Sequence, residues 1–485
     1  MDYVFKNQRE KISIVKGKGY YNNVPFGDEI SERSLFYDEI IRELSFDFNQ
    51  CIIRLNQCSR NFIKDTDGCN VLYLSDTDGG YPRKGVAVKT NNEIKEYPNL
   101  RYVDLMINEK NIKQGKLSIF SHEIGHVMME NIWPNFPVGN SVKPHASMAV
   151  TDYFLAFYEG FGEHFQRLVY DNVDYYNKLQ REQEGFRDDI TKLWHSKIDK
   201  DLRLNAVLNN QYIHKNLLPS LDTSSMELQE LIVLEHLSPI FDKIKLKNAQ
   251  EMLSCEGVIA TLFYRINTNK DIQYNYACRD FYNNFLIDKI PEDTDIRDIF
   301  NPFENVILKN FYVWSKLKGK INDDSIIFID FIEEWLKCFP EDREELIKIF
   351  ISTTIGKTIT NKLAKLYEEA AYYGLIGDMK NYLECCNSYN AFLDSLCEQA
   401  IEGKINLRQN IGDEFWITNK DFKMKPWMYI EEEFPLRVNV NTASIYELCT
   451  FKQIPYNLAV QLVKKRDEQG HLNRDEIINI IGKEI

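Results

Sequence analysis

The chain has 485 residues and a net charge of −14, which makes it too long for one simple core and too acidic for a protein whose main task is to coat nucleic acid or an anionic membrane. Hydrophobic residues make up 44% of it, enough to bury a sizeable core, so wholesale disorder is excluded. The opening MDYVFKNQREKISIVKGKG has no apolar core or small-residue cleavage site, no stretch approaches about 18 uncharged apolar residues, and the ten Cys are scattered without a CxxC pair. The expectation is a cytoplasmic protein with reduced thiols, no signal peptide and no membrane span.

In chain order, residues 30–50 carry Leu35, Phe36, Ile40, Ile41 and Leu44 at helical spacing. NVLYLSD (70–76), GVAVKT (85–90) and RYVDLMIN (101–108) are β-branched or alternating and separated by turn residues, which predicts strands. Residues 112–133 read as a helix ended near Pro134, 134–148 as a loop rich in Pro, Gly, Asn and Ser, and 149–171 as a second helix. From about 185 to 425 the pattern is mostly helical, without a solenoid repeat. A polar, aromatic connector over 413–437 leads into a compact segment, 438–485.

The first chemistry-bearing stretch is SHEIGHVMMENIW, 121–133. On a helix, residues i and i+4 share a face, so His122 and His126 can present two imidazoles to one ion, with Glu123 beside it. Ile119, Phe120, Ile124, Val127 and Met128 supply apolar faces, and Gly125 permits close approach of another element. A catalytic zinc needs a third protein ligand and an open position. The following helix offers Glu159, Glu163 and His164 in YEGFGEHF. Gly160 and Gly162 cost that helix about 1 kcal/mol each against Ala, which predicts close packing against the His122 helix.

HEIGH followed by EGFGEHF resembles the gluzincin metallopeptidases. The resemblance covers roughly residues 70–170. It implies one zinc per chain held by His122, His126 and Glu159, with Glu123 as the general base in attack of water on a peptide carbonyl. Glu163 is the competing third ligand, or else the acceptor that fixes the tautomer of a ligand histidine. Relatives usually add a Tyr or His that steadies the oxyanion. His145 in SVKPHASM is the first candidate and Tyr264 in SCEGVIATLFYRI the second. That stretch also carries Glu256, a carboxylate on an apolar helix that needs a partner or a task. His195, His214, His236 and His471 are isolated and read as structural or exposed. RYVDLMIN or GVAVKT is expected to be an edge strand that receives an extended substrate. Many relatives have Ala where this chain has Gly162.

The final segment, NVNTAS…EL followed by a hairpin and KKRDEQGHLNRDEI, resembles the helix-hairpin-helix domain of bacterial competence DNA-uptake proteins. Such domains hold a phosphate on the backbone of an L-P-G-I-G hairpin. Here the positions read Phe451-Lys452-Gln453-Ile454-Pro455, without either glycine and with one N–H removed. Lys464, Lys465 and Arg466 form the only basic cluster of the segment. DNA and a protein-docking partner both remain open for this tail.

The sequence therefore predicts an α+β, mostly helical protein. A zincin-like catalytic region (1–180) carries a small sheet before the HExxH helix. A large helical lobe (181–425) and a small helix-hairpin-helix domain (438–485) follow. The expected activity is zinc-dependent hydrolysis of a protein or peptide substrate, with an endopeptidase favoured and no membrane partner. The alternative is a DNA-associated or protein-docking scaffold whose zinc site is structural or inert.

Overall fold

The computed structural model describes residues 10–30, 34–65, 69–77, 79–91, 93–137, 139, 141, 145, 147–185, 205–216, 241–418 and 437–482. The protein is mostly helical with a smaller β component. The N-terminal part of the chain holds five strands: β1 (Ile12–Tyr21), β2 (Val24–Glu29), β3 (Asn70–Leu74), β4 (Gly80–Thr90) and β5 (Glu93–Leu105). They close into a barrel in the order β1-β2-β4-β5-β3. Asn22 and Asn23, both at positive φ (47° and 66°), make the tight β1–β2 turn, a conformation Asn tolerates better than most residues. Strand alternation splits the buried side chains into two sets. Val15, Val71, Tyr73, Val86, Val88, Leu100 and Tyr102 fill the barrel. Ile14, Leu72, Leu74, Val103 and Leu105 face outward into the helices.

Closure corrects the expected open sheet. GVAVKT lies inside β4 and RYVDLMIN begins inside β5, and each of these strands pairs with a neighbour on both sides. Neither is an edge strand.

The helices that frame the site are α1 (Leu35–Leu44), α2 (Asp47–Phe62), α3 (Phe120–Ile132), α4 (Tyr153–Asn172), α5 (Asp174–Gly185) and α6 (Glu256–Thr268). The expected helix over 112–133 opens instead as two 3-10 turns, Ile112–Gln114 and Lys116–Ile119, and only α3 is α-helical. Asp152 caps α4, accepting from the backbone N–H groups of Phe154 (2.8 Å) and Leu155 (2.9 Å). Further helices follow: α7 (Pro302–Leu317), α8 (Ile327–Cys338), α9 (Arg343–Thr353), α10 (Asn361–Ile376) and α11 (Met379–Ile401). One hydrophobic core runs from Ile14 to Ile411, so the boundary expected near 180 does not divide it. The reason is that α4 packs directly against α6 of the predicted lobe, with Phe157 and Phe161 against Phe263.

The C-terminal unit has its own core of Ile417, Val438, Val440, Ala443, Leu448, Phe451, Ile454, Ala459, Leu462, Leu472 and Ile477. It contains α12 (Tyr456–Gln469) and α13 (Arg474–Ile481), and starts earlier than expected, because Trp416–Thr418 of the predicted connector pairs with Arg437–Asn439. Residues 419–436 of that connector, like His195 and His236, lie outside the described residues. No helix among the described residues is long and apolar enough to cross a membrane.

Candidate metal centre

α3 is buried along most of its length, with Phe120, Ile124, Val127 and Met128 all in the core. It crosses α4 at Gly125 and Gly162. A Cβ on Gly162 would stand 2.9 Å from His122 Nε2 and from His126 Cε1 and Nε2. Only a residue without a side chain lets α4 approach the two imidazoles this closely. The close packing read from the glycines is therefore present.

The crossing gathers three ligand atoms. His122 Nε2 and His126 Nε2 are 3.0 Å apart. Glu159 Oε2 lies 3.4 Å from the first and 3.3 Å from the second. Ligands on a tetrahedral zinc with bonds near 2.05 Å stand about 3.3 Å from each other, so the three occupy one face of such a tetrahedron. Among the described residues Glu159 Oε2 is buried without a hydrogen-bond partner, a state that is costly unless something positive fills the space. Burial would raise the Glu159 carboxyl, but His126, His122 and His145 hold it well below the usual carboxylate range. Burial likewise pulls His122 down, yet the Glu159 carboxylate 3.4 Å away, with Glu123 and Glu163 nearby, lifts it to about 9. The buried His122–His126–Glu159 group fits a metal ion.

Glu163 stands beside this triad rather than in it. Its Oε2 is 3.6 Å from His122 Nδ1, and its Oε1 accepts from Ser147 Oγ at 3.0 Å. This is the position of an acceptor for the far nitrogen of a ligand histidine. Among the described residues His126 Nδ1 has no hydrogen-bond partner. Its ring is held instead by Tyr158, stacked at 4.0 Å and 7°. Tyr158 donates to Glu130 Oε1 (2.8 Å), and Glu130 pairs with Arg101 (3.1 Å). Glu123 lies against the start of β4, where a Cβ on Gly80 would meet its Oε1 at 2.8 Å.

His145 reaches the centre from the α3–α4 loop. Its half-exposed ring puts Nδ1 3.5 Å from Glu159 Oε2 and 3.6 Å from Glu256 Oε2. Tyr264 does not reach it, which corrects the second oxyanion candidate. Its hydroxyl donates to Asp171 (2.8 Å), about three turns beyond Glu159 on α4. His164 is no ligand either: it contacts the Phe161 carbonyl and Asn267, and burial pushes its imidazole down to about 3. His214 is buried and pushed down to about 4, again mainly by burial, a structural position as expected.

The basic cluster of the tail is largely consumed by the fold. Arg466 is buried and donates to the carbonyls of Val440 (3.1 Å) and Ala443 (2.6 Å). Lys465 pairs with Glu476 at 2.9 Å. Lys464 is exposed. The expectation of three residues forming one nucleic-acid contact is corrected to a single exposed lysine, because the amphipathic α12 turns Arg466 inward.

Sequence reasoning missed Tyr158, Glu130 and Gly80. Glu130 follows His126 by one helical turn, which was a usable signal for a shared face. The stacking of Tyr158 and the approach of β4 depend on tertiary packing. No protein-family model, curated protein or solved structure matches this chain.

Proposed function

We propose that this chain is a zinc-dependent peptidase. The observation that carries the reading is the buried triad, whose three ligand atoms stand 3.0–3.4 Å apart, with Glu123 next in sequence to a ligand and outside the triad. Zinc held there would acidify a water and polarise a substrate carbonyl.

The remaining roles fall to the chain's own side chains. Glu123 is placed to take a proton from the nucleophilic water and return it to the leaving amine. Glu163 holds His122 in the tautomer that leaves Nε2 as the ligand atom. His145, whose half-exposed ring lies 3.5 Å from Glu159 Oε2, is the candidate donor to a developing oxyanion.

The test is Glu123→Gln. The variant is expected to retain metal as wild type does and to lose at least 10³-fold in hydrolysis of an unfolded protein such as casein. Undiminished cleavage by a folded Glu123→Gln chain would remove the assigned base and with it the mechanism.

A further inference from the structure

Glu159 belongs to two groups of ligand atoms. The second consists of His145, Glu159 and Glu256, and their ligand atoms also lie within 4.8 Å of one another. Glu256 opens α6 and is 3% exposed, and among the described residues its Oε2 has no hydrogen-bond partner. That atom is aimed at His145 Nδ1.

The backbone builds this juxtaposition. The Gly257 N–H donates to the Ser147 carbonyl (2.8 Å), and the Thr151 N–H donates to the Ser254 carbonyl (2.8 Å). These bonds, with the Val150–Cys255 bridge, fasten the loop that carries His145 to the start of α6. His145 and Glu256 are therefore brought together by backbone contacts that involve neither His122 nor His126.

Charge argues in the same direction. Glu123, Glu159, Glu163 and Glu256 are 7, 8, 2 and 3% exposed, and the ion pairs of Glu159 and Glu256 among the described residues are with histidines. One divalent ion offsets two of these four carboxylates. Buried charge left over is costly. His145 Nδ1 stands 3.5 Å from Glu159 Oε2 and 3.6 Å from Glu256 Oε2, close to the roughly 3.3 Å edge of a tetrahedral site.

We propose that His145, Glu159 and Glu256 form a second divalent-cation site, sharing Glu159 with the His122–His126–Glu159 centre. One imidazole and two carboxylates suit zinc or manganese. A shared carboxylate is what holds two ions at the roughly 3.5–4 Å spacing of two-metal hydrolytic sites. Coordination through Nδ1 leaves the His145 proton on Nε2, so the ring keeps a donor for substrate. The proposal depends on the first centre only through Glu159.

The experiment is equilibrium dialysis of the full, chelator-stripped chain against zinc, with bound zinc counted by elemental analysis. Wild type is expected to bind two equivalents. Glu256→Gln, which keeps the shape of the side chain, and His145→Ala, on a half-exposed loop position, are each expected to bind one, with unchanged circular dichroism. Wild type saturating at one equivalent would overturn the second site and leave the first standing. Two equivalents on a folded Glu256→Gln chain would also overturn it. No bound zinc on wild type would overturn both sites together.

Discussion

Gly162 carries opposing demands on one atom. Ala at this position would favour the helix by about 1 kcal/mol. Its Cβ would also stand 2.9 Å from ring atoms of both His122 and His126, and those rings lie against Glu163 (3.6 Å) and Tyr158 (4.0 Å). Overpacking of this kind costs about 1–3 kcal/mol, so the clash wins. Gly162→Ala is expected to weaken zinc binding at least tenfold, read by competition with a chromogenic chelator. Zinc held as tightly as in wild type would mean that the α3–α4 crossing has slack. The two carboxylates of the same helix differ in kind. Glu159→Ala should abolish retention at the triad, whereas Glu163→Ala should weaken it by about 10–100-fold, and the reverse order would exchange their roles. The triad was legible because helical spacing alone puts His122 and His126 on one face. The glycines of α4 foretold only its close packing on α3, and the choice of Glu159 over Glu163 came from the resemblance to the gluzincin pattern. Tyr264 was misplaced because an apolar helix announces that it packs, not which of its ends faces the site.

Among the elements, the contact of α1 with α5 contains a buried acid. Glu43 is fully buried and accepts from Tyr176 at 2.9 Å. Burial raises its carboxyl to about 7. Its folded value thus lies above its unfolded one, and the folded state holds the proton more tightly between roughly pH 4.5 and 7. Stability should fall as pH rises through that window, by on the order of 3 kcal/mol, and level off above it. Glu43→Gln should flatten this part of the melting-temperature profile and raise the value at pH 8. A profile with the wild-type slope would assign that slope to other groups. The strands show what element-level reading can and cannot reach. β3, β4 and β5 were legible from β-branched alternation bounded by turns. β1, with Lys16, Gly17, Lys18 and Gly19 in its middle, offered no such alternation. Closure of the barrel joins β1 to β3 across α1 and α2, a pairing that no local pattern encodes.

For the molecule as a whole, the C-terminal unit is bound to the body by polar contacts. Asn248 donates to the Asn441 carbonyl (2.8 Å), and Arg466 reaches Glu251 at 3.3 Å. Arg466→Ala would strand two carbonyls and weaken that pair, at about 2–4 kcal/mol. The expected result is a lower melting temperature. Lys464→Ala, on the exposed face, should leave both stability and retention on a DNA column unchanged, and a selective loss of DNA retention would restore the nucleic-acid reading of the tail. The compact tail was legible from its caps and turns, but its docking was not, since Asn248, Glu251 and Asn441 carry no pattern that pairs them. The central claim is that His122, His126 and Glu159 hold a metal ion. The most direct measurement is elemental analysis of the full chain purified without chelator or affinity metal, alongside His126→Ala. The account predicts zinc at one or more equivalents in wild type and one equivalent fewer in the variant. A folded wild-type chain without metal, or a variant with the same content, would contradict it.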